Sequence, residues 1–281
     1  GPGRLSPAFR SMRSALLTLI ALPMISSPVR SATPVWFEDF EQPPGTGPNP
    51  AHWTYDLGAT GWGNAELQRY TDSRENSFVV ADPEAVNGKA LVIRAVRQPD
   101  GTYTSARLKT QGKLSVTSGR IEARIKIPRG QGIWPAFWML GESIETIGWP
   151  ACGEIDIMEV VGHEPHRLHQ TLHGPGYSAA AGITKSMTLP EARPLSDGYH
   201  VYSVEWSTGR IAWFLDGRLN HVCTPADLPA GGRWVFDHAP FFLLLNLAVG
   251  GRWPGYPDDT TTFPQEMRID YVRVTSLDPS S

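Results

Sequence analysis

The chain has 281 residues, of which 41% are hydrophobic, and this is enough apolar material for the core of one large domain or two ordinary ones. Its formal net charge of −3 is close to neutral, so no general attraction to nucleic acid or to an anionic membrane is expected. The 28 Gly and 25 Pro residues predict many turns, which favours an all-β chain, and the ten Trp residues suggest flat apolar surfaces for a ligand.

The N-terminal segment, residues 1–32, is predicted to be a signal peptide and leader. The apolar run at residues 15–25 has the length of a signal-peptide hydrophobic region, and it is too short, and interrupted by Pro23, for a transmembrane span. Small residues at Ser31 and Ala32 could allow cleavage. We therefore expect a secreted protein, extracellular or periplasmic, that has no membrane segment in its mature form.

Strand signals recur along the chain from about residue 35 to residue 275. Residues 120–127 alternate strictly between apolar and charged side chains, which predicts a strand with one solvent-facing side. Residues 241–251 are apolar on both parities, so we expect this strand to be covered on both faces. Pairs of residues that tolerate positive φ predict turns before or between strands: Asn87-Gly88, Asp100-Gly101 and Asp216-Gly217.

The predicted fold is all-β, a single antiparallel β-sandwich of the jelly-roll kind. No long segment shows a convincing helical periodicity, and no internal repeat is evident. The domain is expected to span residues 33–276 and to close with a strand at residues 268–274. Residues 277–281 would form a short tail.

The segment GEIDIMEV, residues 153–160, places three acids in a predicted apolar strand. Glu154 and Asp156 share a face because they are two residues apart, but Glu159 is an odd number of residues beyond them. A β-bulge at Met158, together with Ile157, would absorb the extra residue and bring all three acids to one face. The carboxyls of the two Glu residues would then lie about 5 Å apart, which is the separation in retaining glycosidases.

Three neighbouring carboxylates cannot all ionise cheaply, so at least one pKa is expected to rise. Retaining glycoside hydrolysis needs one charged carboxylate to attack the anomeric carbon and one protonated carboxyl to donate to the leaving oxygen. The alternatives are a calcium site and an exposed acidic strand. Calcium sites usually lie on loops, and an exposed strand would not alternate Ile with acids so tightly.

The two cysteines, Cys152 and Cys223, could form a disulfide in an exported protein, but two separate buried thiols are the simpler expectation. Cys152 shares strand parity with Glu154 and Asp156. Their charges would raise the pKa of its thiol, so a nucleophilic role is disfavoured.

Four histidines follow the acid segment at spacings of three, three and four residues, which could suggest a zinc site. The first two lie in a Pro-containing stretch that is expected to be a loop, and the other two on the following strand, so convergence on one ion is disfavoured. His173 differs, because its parity would bring it near the acids if the two strands pair, and we assign it a substrate-side role. The four residues are His163, His166, His169 and His173.

The segment GEIDIMEVVG resembles the signature of glycoside hydrolase family 16, in the bulged form of laminarinase-like endo-β-1,3-glucanases. The resemblance covers essentially the whole expected mature chain, and it implies a concanavalin-like jelly roll with a long cleft across its concave sheet. Agarases and carrageenases also carry the bulged form, so the bulge alone does not decide the sugar. The segments that look like this family, in order, are residues 61–71, 105–141, 148–162, 171–178 and 241–255.

The resemblance implies that Glu154 is the nucleophile and Glu159 the acid/base. It implies that Asp156, between them, hydrogen-bonds the nucleophile and tunes the pair. All three residues match the family pattern, and no cofactor is expected for the chemistry.

Sugar-binding candidates lie in the other matched segments. Indole faces stack on the C–H faces of glucose rings, although some of these Trp residues could instead belong to the core. Asn64, Glu66 and Arg107 are candidate donors and acceptors for hydroxyls just upstream of the cleavage point, with ordinary solvated residues as the alternative. The Trp candidates are Trp134, Trp138, Trp149 and Trp253.

A structural Ca²⁺ on the convex side is a further implication of the resemblance. Family members often use an N-terminal acid and the acid of the final strand. Asp39 and Asp270 match in type, and the Gly88 carbonyl could join them. Ordinary surface acids are the alternative, and the order Glu38-Asp39 leaves open which of these two acids would bind.

We therefore predict a secreted, monomeric endo-glycosidase that cleaves β-1,3-glucan of the laminarin type with retention of configuration. Its partner would be a β-glucan polysaccharide, with no nucleic acid and no membrane. A mixed-linkage β-1,3-1,4-glucanase and a transglycosylase of the same family need the same two Glu residues and are alternatives. A non-catalytic β-glucan-binding module on the same sandwich is an alternative of another class, which the intact acids disfavour.

Overall fold

A computed structural model describes residues 34–277 of the chain. The predicted leader and its cleavage site therefore lie outside the described residues, as does the predicted tail beyond residue 277. Within residues 34–277, no helix is both long and apolar enough to span a membrane.

Strands dominate the described residues, and α1 (Ile144–Ile147) is a single helical turn. The first nine strands are β1 (Pro34–Glu38), β2 (Thr54–Asp56), β3 (Arg69–Tyr70), β4 (Ser77–Ala81), β5 (Lys89–Arg97), β6 (Tyr103–Ser105), β7 (Arg107–Lys109), β8 (Gly119–Lys126) and β9 (Ile133–Gly141). The next eight are β10 (Glu154–Glu159), β11 (Arg167–His173), β12 (Ile183–Thr188), β13 (His200–Ser207), β14 (Arg210–Leu215), β15 (Arg218–Cys223), β16 (Phe241–Val249) and β17 (Gln265–Thr275). Short 3₁₀ turns lie at Ala179–Ala181, Pro190–Ala192, Leu195–Asp197 and Pro225–Asp227.

These strands form two sheets. A ten-stranded sheet has the order β15-β14-β13-β8-β17-β5-β6-β3, with β1 paired to β17 and β4 paired to β5. A seven-stranded sheet has the order β12-β11-β10-β9-β16-β7-β2. The strand pairings in the described residues are antiparallel, apart from the short parallel pair of β3 and β6. The predicted all-β sandwich is confirmed.

The strand patterns in the sequence match the burial of the side chains. On β8 the apolar residues are buried and Arg120, Arg124 and Lys126 are half-buried, as the alternation predicts. Glu122 departs from this pattern and is only 8% exposed, because Arg120 and Arg273 lie beside its carboxylate. All nine residues of β16 are buried, so this strand is covered on both faces, as its apolar residues on both parities predict.

The hydrophobic core between the sheets packs against the inner face of β10, the strand that carries the three acids. Ile155 and Ile157 of β10 are fully buried in it, together with Trp206 and Trp213 of the facing sheet. The Trp213 Nε1 atom donates a hydrogen bond of 2.9 Å to the backbone carbonyl of Asp156. An aromatic side chain of this size contributes strongly to the core, and here it also fixes the backbone that carries the acids.

The two cysteines are free buried thiols, as the simpler expectation had it. Burial, with the charge of Glu154 as a second cause, raises the pKa of Cys152 to about 11.

The predicted turn at Asp216-Gly217 joins β14 to β15, and both residues have positive φ.

Candidate active site

The strand β10 contains the predicted bulge. Against β9, Asp156 pairs with Trp138 and Met158 pairs with Phe137, so Ile157 is the extra residue. Ile157 and Met158 are both fully buried. Two consecutive residues therefore point toward the core, and Glu159 returns to the side of the sheet that carries Glu154 and Asp156.

The three acids lie on the outer face of the seven-stranded sheet, which we call the acid face. Strand β11 places one residue directly opposite each acid. The pairs are Glu154 with His173, Asp156 with Thr171, and Glu159 with His169. Because opposite residues of an antiparallel pair share a face, β11 forms one side of the site.

Each glutamate carboxyl accepts a hydrogen bond from a different indole. Trp149 Nε1 donates to Glu154 Oε1 over 3.0 Å, and Trp134 Nε1 donates to Glu159 Oε2 over 3.1 Å. Trp149 follows the helical turn α1, whereas Trp134 lies on β9. The two carboxyls are thus oriented by independent parts of the fold.

His173 lies at the Glu154 end of the acid face. Its Nε2 atom is 3.5 Å from Glu154 Oε2 and 3.1 Å from Asp156 Oδ2. The ligand atoms of His173, Glu154 and Asp156 all lie within 4.8 Å of one another, which is close enough to hold a metal ion. Within residues 34–277 this is the one such group of three or more side chains. The other histidines that could have suggested a zinc site do not join this group.

Burial and mutual repulsion raise the pKa of all three acids. For Glu159 the causes are burial first and the charge of Glu154 second, and they raise its pKa to about 8. For Glu154 burial again leads, followed by the charge of Asp156, while His173 acts in the opposite direction. Burial and the charge of Glu159 raise the pKa of Asp156, which is 1% exposed. His173 favours negative charge at the Glu154 end, and the raised pKa of Glu159 lets this carboxyl hold a proton at neutral pH.

The four candidate Trp residues all border the acid face. Trp149 and Trp253 are 45% and 43% exposed, so their ring faces are accessible to a ligand. Trp134 and Trp138 are half-buried. Trp138 Nε1 donates a hydrogen bond of 2.7 Å to Asn246 Oδ1 on β16, which holds this ring in the sheet.

Arg107 lies on β7, toward the β2 edge of the same sheet. Its guanidinium stacks between two indoles, 4.9 Å from the Trp62 ring centroid and 4.8 Å from that of Trp138. Its Nε atom is 2.8 Å from Asp56 Oδ2. This stacking keeps the cation flat against the site, where it can bind a hydroxyl group.

Asn64 and Glu66 lie in the loop before β3. Asn64 Nδ2 donates to Glu66 Oε2 over 2.9 Å, and burial raises the pKa of Glu66. The charge of Glu66 also acts on Glu159. The backbone N–H of Arg252 donates to the Asn64 carbonyl, so the loop that carries Trp253 is attached to this loop.

Several residues of the site were absent from the sequence candidates. Two of them could have been selected from the sequence. Trp62 lies between two glycines in a matched segment, and Asn246 is the one polar residue in the apolar run of β16. His169 shares strand parity with His173, which predicts that both lie on one face. Nothing in the sequence singled out Asp56 as a site residue, because its contact with Arg107 depends on the pairing of β2 with β7.

The proposed calcium residues flank one turn on the other sheet. The Asn87 side chain in this turn donates to Asp39 Oδ2 over 2.9 Å, and the Val86 N–H donates to the carboxylate of Asp270. The carbonyl of Gly88 lies in the same turn and accepts the Asp82 N–H.

These oxygens are of the kind that Ca²⁺ binds, but the fit is incomplete. Asp270 is 1% exposed, and one of its oxygens already accepts a hydrogen bond of 2.6 Å from the Arg124 guanidinium. The charge of Asp270 is therefore balanced by a protein cation. Calcium at Asp39, Gly88 and Asp270 stays a prediction.

The family model described as Glycosyl hydrolases family 16 matches residues 68–273. The Beta-glucanase of Rhodothermus marinus is 41% identical, with 96% of each chain covered. The laminarinase catalytic domain of Thermotoga maritima is 47% identical with a TM-score of 0.79, covering 87% of this chain and 98% of that one. The endo-beta-1,3-glucanase of Pyrococcus furiosus is 46% identical with a TM-score of 0.78, covering 87% and 94%.

Proposed function

The chain belongs to family 16 of the glycosyl hydrolases, and on that basis we propose that it is an endo-β-1,3-glucanase that cleaves laminarin-type β-glucans with retention of configuration. One observation carries the proposal: the bulge brings Glu154 and Glu159 to the same face of one strand, where each accepts an indole N–H. The β-1,3 linkage is supported by the name of the Pyrococcus relative, an endo-beta-1,3-glucanase, and laminarin as substrate by that of the Thermotoga relative, a laminarinase.

In the first step, we propose that the Glu154 carboxylate attacks the anomeric carbon and forms a glycosyl-enzyme bond. The glycosidic C–O bond breaks, and Glu159 gives its proton to the leaving oxygen. Glu154 is the better nucleophile because His173 lies against it and favours its charged form. Glu159 can serve as the acid because burial raises its pKa to about 8, so it holds a proton at neutral pH.

In the second step, the Glu159 carboxylate takes a proton from a water molecule, which attacks the anomeric carbon. The bond to Glu154 breaks, and Glu154 leaves as a carboxylate. Two inversions give net retention. Asp156 lies between the glutamates and interacts with both, so we assign it the role of balancing charge as the proton moves.

The sugar chain is proposed to lie across the acid face. The exposed rings of Trp149 and Trp253 offer stacking surfaces beside the two glutamates, and Trp134 and Trp138 line the face between β9 and β16. Polar contacts to hydroxyls are assigned to Asn64, Glu66, Arg107 and His173.

The roles of the two glutamates are tested by Glu154→Gln and Glu159→Gln. Each variant is expected to lower laminarin hydrolysis by about 10³-fold or more, while laminarin binding persists, because the amide keeps the shape but cannot attack or donate a proton. Reducing-end release and binding isotherms measure the two properties. His163→Ala, at a half-exposed site in the loop before β11, is the control and should match the wild type. Wild-type rates in either Gln variant would contradict the assignment.

The substrate and stereochemistry are tested by product analysis on laminarin, lichenan and agarose. We expect oligosaccharides from laminarin, with the β-anomer appearing first by NMR. Preferred cleavage of lichenan would indicate a mixed-linkage glucanase, and products longer than the substrate would indicate a transglycosylase. Absence of any sugar release would leave a binding module.

We further propose that the protein is exported, that residues 1–32 are removed, and that residues 33–276 form a catalytic domain that works as a monomer. The apolar run at residues 15–25 supports export. N-terminal sequencing of exported protein and light scattering of the purified product test these points.

A further inference from the structure

The two glutamates face two histidines that are oriented differently. His173 directs its Nε2 atom at Glu154 and Asp156. His169, opposite Glu159, turns its ring edge-on to Trp253 at a centroid distance of 4.9 Å, and its Nδ1 atom pairs with Ser186 Oγ on β12 over 2.7 Å. The imidazole opposite Glu159 is therefore held by Ser186 and Trp253 and not by the Glu159 carboxyl.

His169 is a buried and neutral ring. It is 9% exposed, and its Nε2 atom has no hydrogen-bond partner within residues 34–277. Burial, with Arg167 as a second cause, lowers the pKa of His169 to about 4. The charged groups near it are Arg167 on its own strand, Glu164 in the preceding loop and Glu159 opposite.

The contacts of His169 continue to the carboxyl of Glu159. The Trp253 ring that it touches lies edge-on to Trp134 at 5.5 Å, and Trp134 Nε1 donates to Glu159 Oε2. Trp134 is on β9 and His169 on β11, the two strands that flank β10. Trp253 thus spans the strand of Glu159 and contacts a ring on each side of it.

We propose that His169 is a positioning residue for Glu159, acting through Trp253 and Trp134. This inference rests on the proposed function, in which Glu159 donates the proton to the leaving oxygen. Edge-to-face contacts are a favoured arrangement of aromatic rings, so the two contacts of Trp253 favour one orientation of the Trp134 indole. A displacement of about 1 Å in a proton donor can cost roughly 10²-fold in rate.

A leaving-group comparison tests this role, because a poor leaving group needs the acid and an activated one does not. We would measure kcat/KM of His169→Ala on laminarin and on 2,4-dinitrophenyl β-laminaribioside. The expected result is a fall of about 10- to 100-fold on laminarin and less than about 3-fold on the aryl glycoside. Equal falls on both substrates, or no fall on laminarin, would overturn the proposal.

Two more variants keep the test valid if His169→Ala folds poorly. His169→Phe preserves the ring edge against Trp253 but loses the hydrogen bond to Ser186, so its fall on laminarin should be smaller than that of His169→Ala and similar to that of Ser186→Ala. Ser186→Ala removes the hydrogen bond that holds the His169 imidazole. Its kcat/KM should also fall selectively on laminarin, but by a smaller factor than in His169→Ala. A His169→Phe variant as impaired as His169→Ala would contradict the aromatic path. His163→Ala is the matched control, and melting curves check folding.

Glu159→Ala separates this inference from the proposed function. If Glu159 is the acid, that variant loses laminarin hydrolysis but keeps kcat/KM on the aryl glycoside, since this constant reports only the glycosylation step. If Glu159→Ala shows this pattern and His169→Ala does not, the inference on His169 fails alone. If Glu159→Ala is not selective, the proposed function itself fails.

Discussion

At the scale of single residues, identical carboxyl groups acquire different properties from their neighbours. Glu154 has the Trp149 indole and His173, whereas Glu159 has the Trp134 indole and faces a neutral His169. The imidazole next to Glu154 favours the charged carboxylate, whereas the imidazole opposite Glu159 has a lowered pKa, so the two carboxyls have different surroundings. The proposed division of roles between nucleophile and acid rests on this difference.

The raised pKa of Glu159 predicts the pH dependence of the reaction. Burial and the charge of Glu154 keep its pKa at about 8, so the acid holds its proton below that pH and loses it as the pH rises. We therefore expect kcat/KM on laminarin to fall as the pH increases through about 8. Rates on the activated aryl glycoside serve as the control, because they do not need the proton. A laminarin rate that is unchanged well above this pH would contradict the assignment.

The residue scale also shows how far the sequence could predict the site. The type and spacing of the three acids, with their place in an apolar strand, indicated their chemistry. The donors Trp134 and Trp149 were candidates only as stacking surfaces, and their hydrogen bonds to Glu159 and Glu154 were not foreseen. Those bonds depend on the path of the loop that leads into β10 and on how the neighbouring strand β9 pairs with it, which residue type does not encode.

At the scale of secondary-structure elements, the bulge in β10 decides whether the site exists. Inserting one Ala between Met158 and Glu159 changes the residue count by one and would point Glu159 toward the core. We expect loss of laminarin hydrolysis and a fall in unfolding free energy of several kcal/mol, because an unpaired buried carboxylate is costly. Hydrolysis assays and thermal melting measure both effects.

Ile157→Val is the control for this insertion. It keeps the residue count and should retain activity, with a cost of about 0.5–1.5 kcal/mol in unfolding free energy. An insertion variant that hydrolyses laminarin at rates near the wild type would show that the residue count of β10 does not set the face of Glu159.

The elements differed in how well the sequence predicted them. The alternation of β8 and the apolar run of β16 predicted both strands, because side-chain periodicity reports burial directly. Strand β17 is longer than the predicted residues 268–274 and runs from Gln265 to Thr275. An irregularity at Asp270 lets it pair with β5 at one end and with β8 along the rest. Such pairing depends on the neighbouring strands.

At the scale of the whole molecule, the two sheets carry different kinds of polar group. The acid face of the seven-stranded sheet holds three acids of raised pKa. The ten-stranded sheet instead holds compensated pairs, such as Arg124 with Asp270 and Arg268 with Asp82. The carboxyls of raised pKa are therefore gathered where the reaction is proposed, whereas Asp82 and Asp270 are each paired with an arginine.

The pair of Arg124 and Asp270 gives a prediction for the stability of the whole fold. Arg124→Met leaves the buried Asp270 without its cation, and we expect a loss of about 3–5 kcal/mol in unfolding free energy, with activity per folded molecule retained. Denaturant unfolding measures this. Arg129→Met, at an exposed arginine outside these pairs, is the control.

The same unfolding curves, recorded with CaCl₂ and with EDTA, test the calcium proposal. A Ca²⁺ ion bound at Asp39, Gly88 and Asp270 would stabilise the folded wild type, and in Arg124→Met it would restore part of the lost stability. Identical curves for both proteins in the two media would rule out the proposed calcium site.

The sequence by itself determined the strand periodicity, the turn pairs, the presence of three acids on one apolar strand and the family resemblance, because these depend on residues close together in the chain. Only the tertiary structure decided which His and which indole accompany each glutamate, and that Trp253 lies between Trp134 and His169. These contacts join residues from strands and loops far apart in sequence. Their geometry follows from strand register and loop path, which no local pattern specifies.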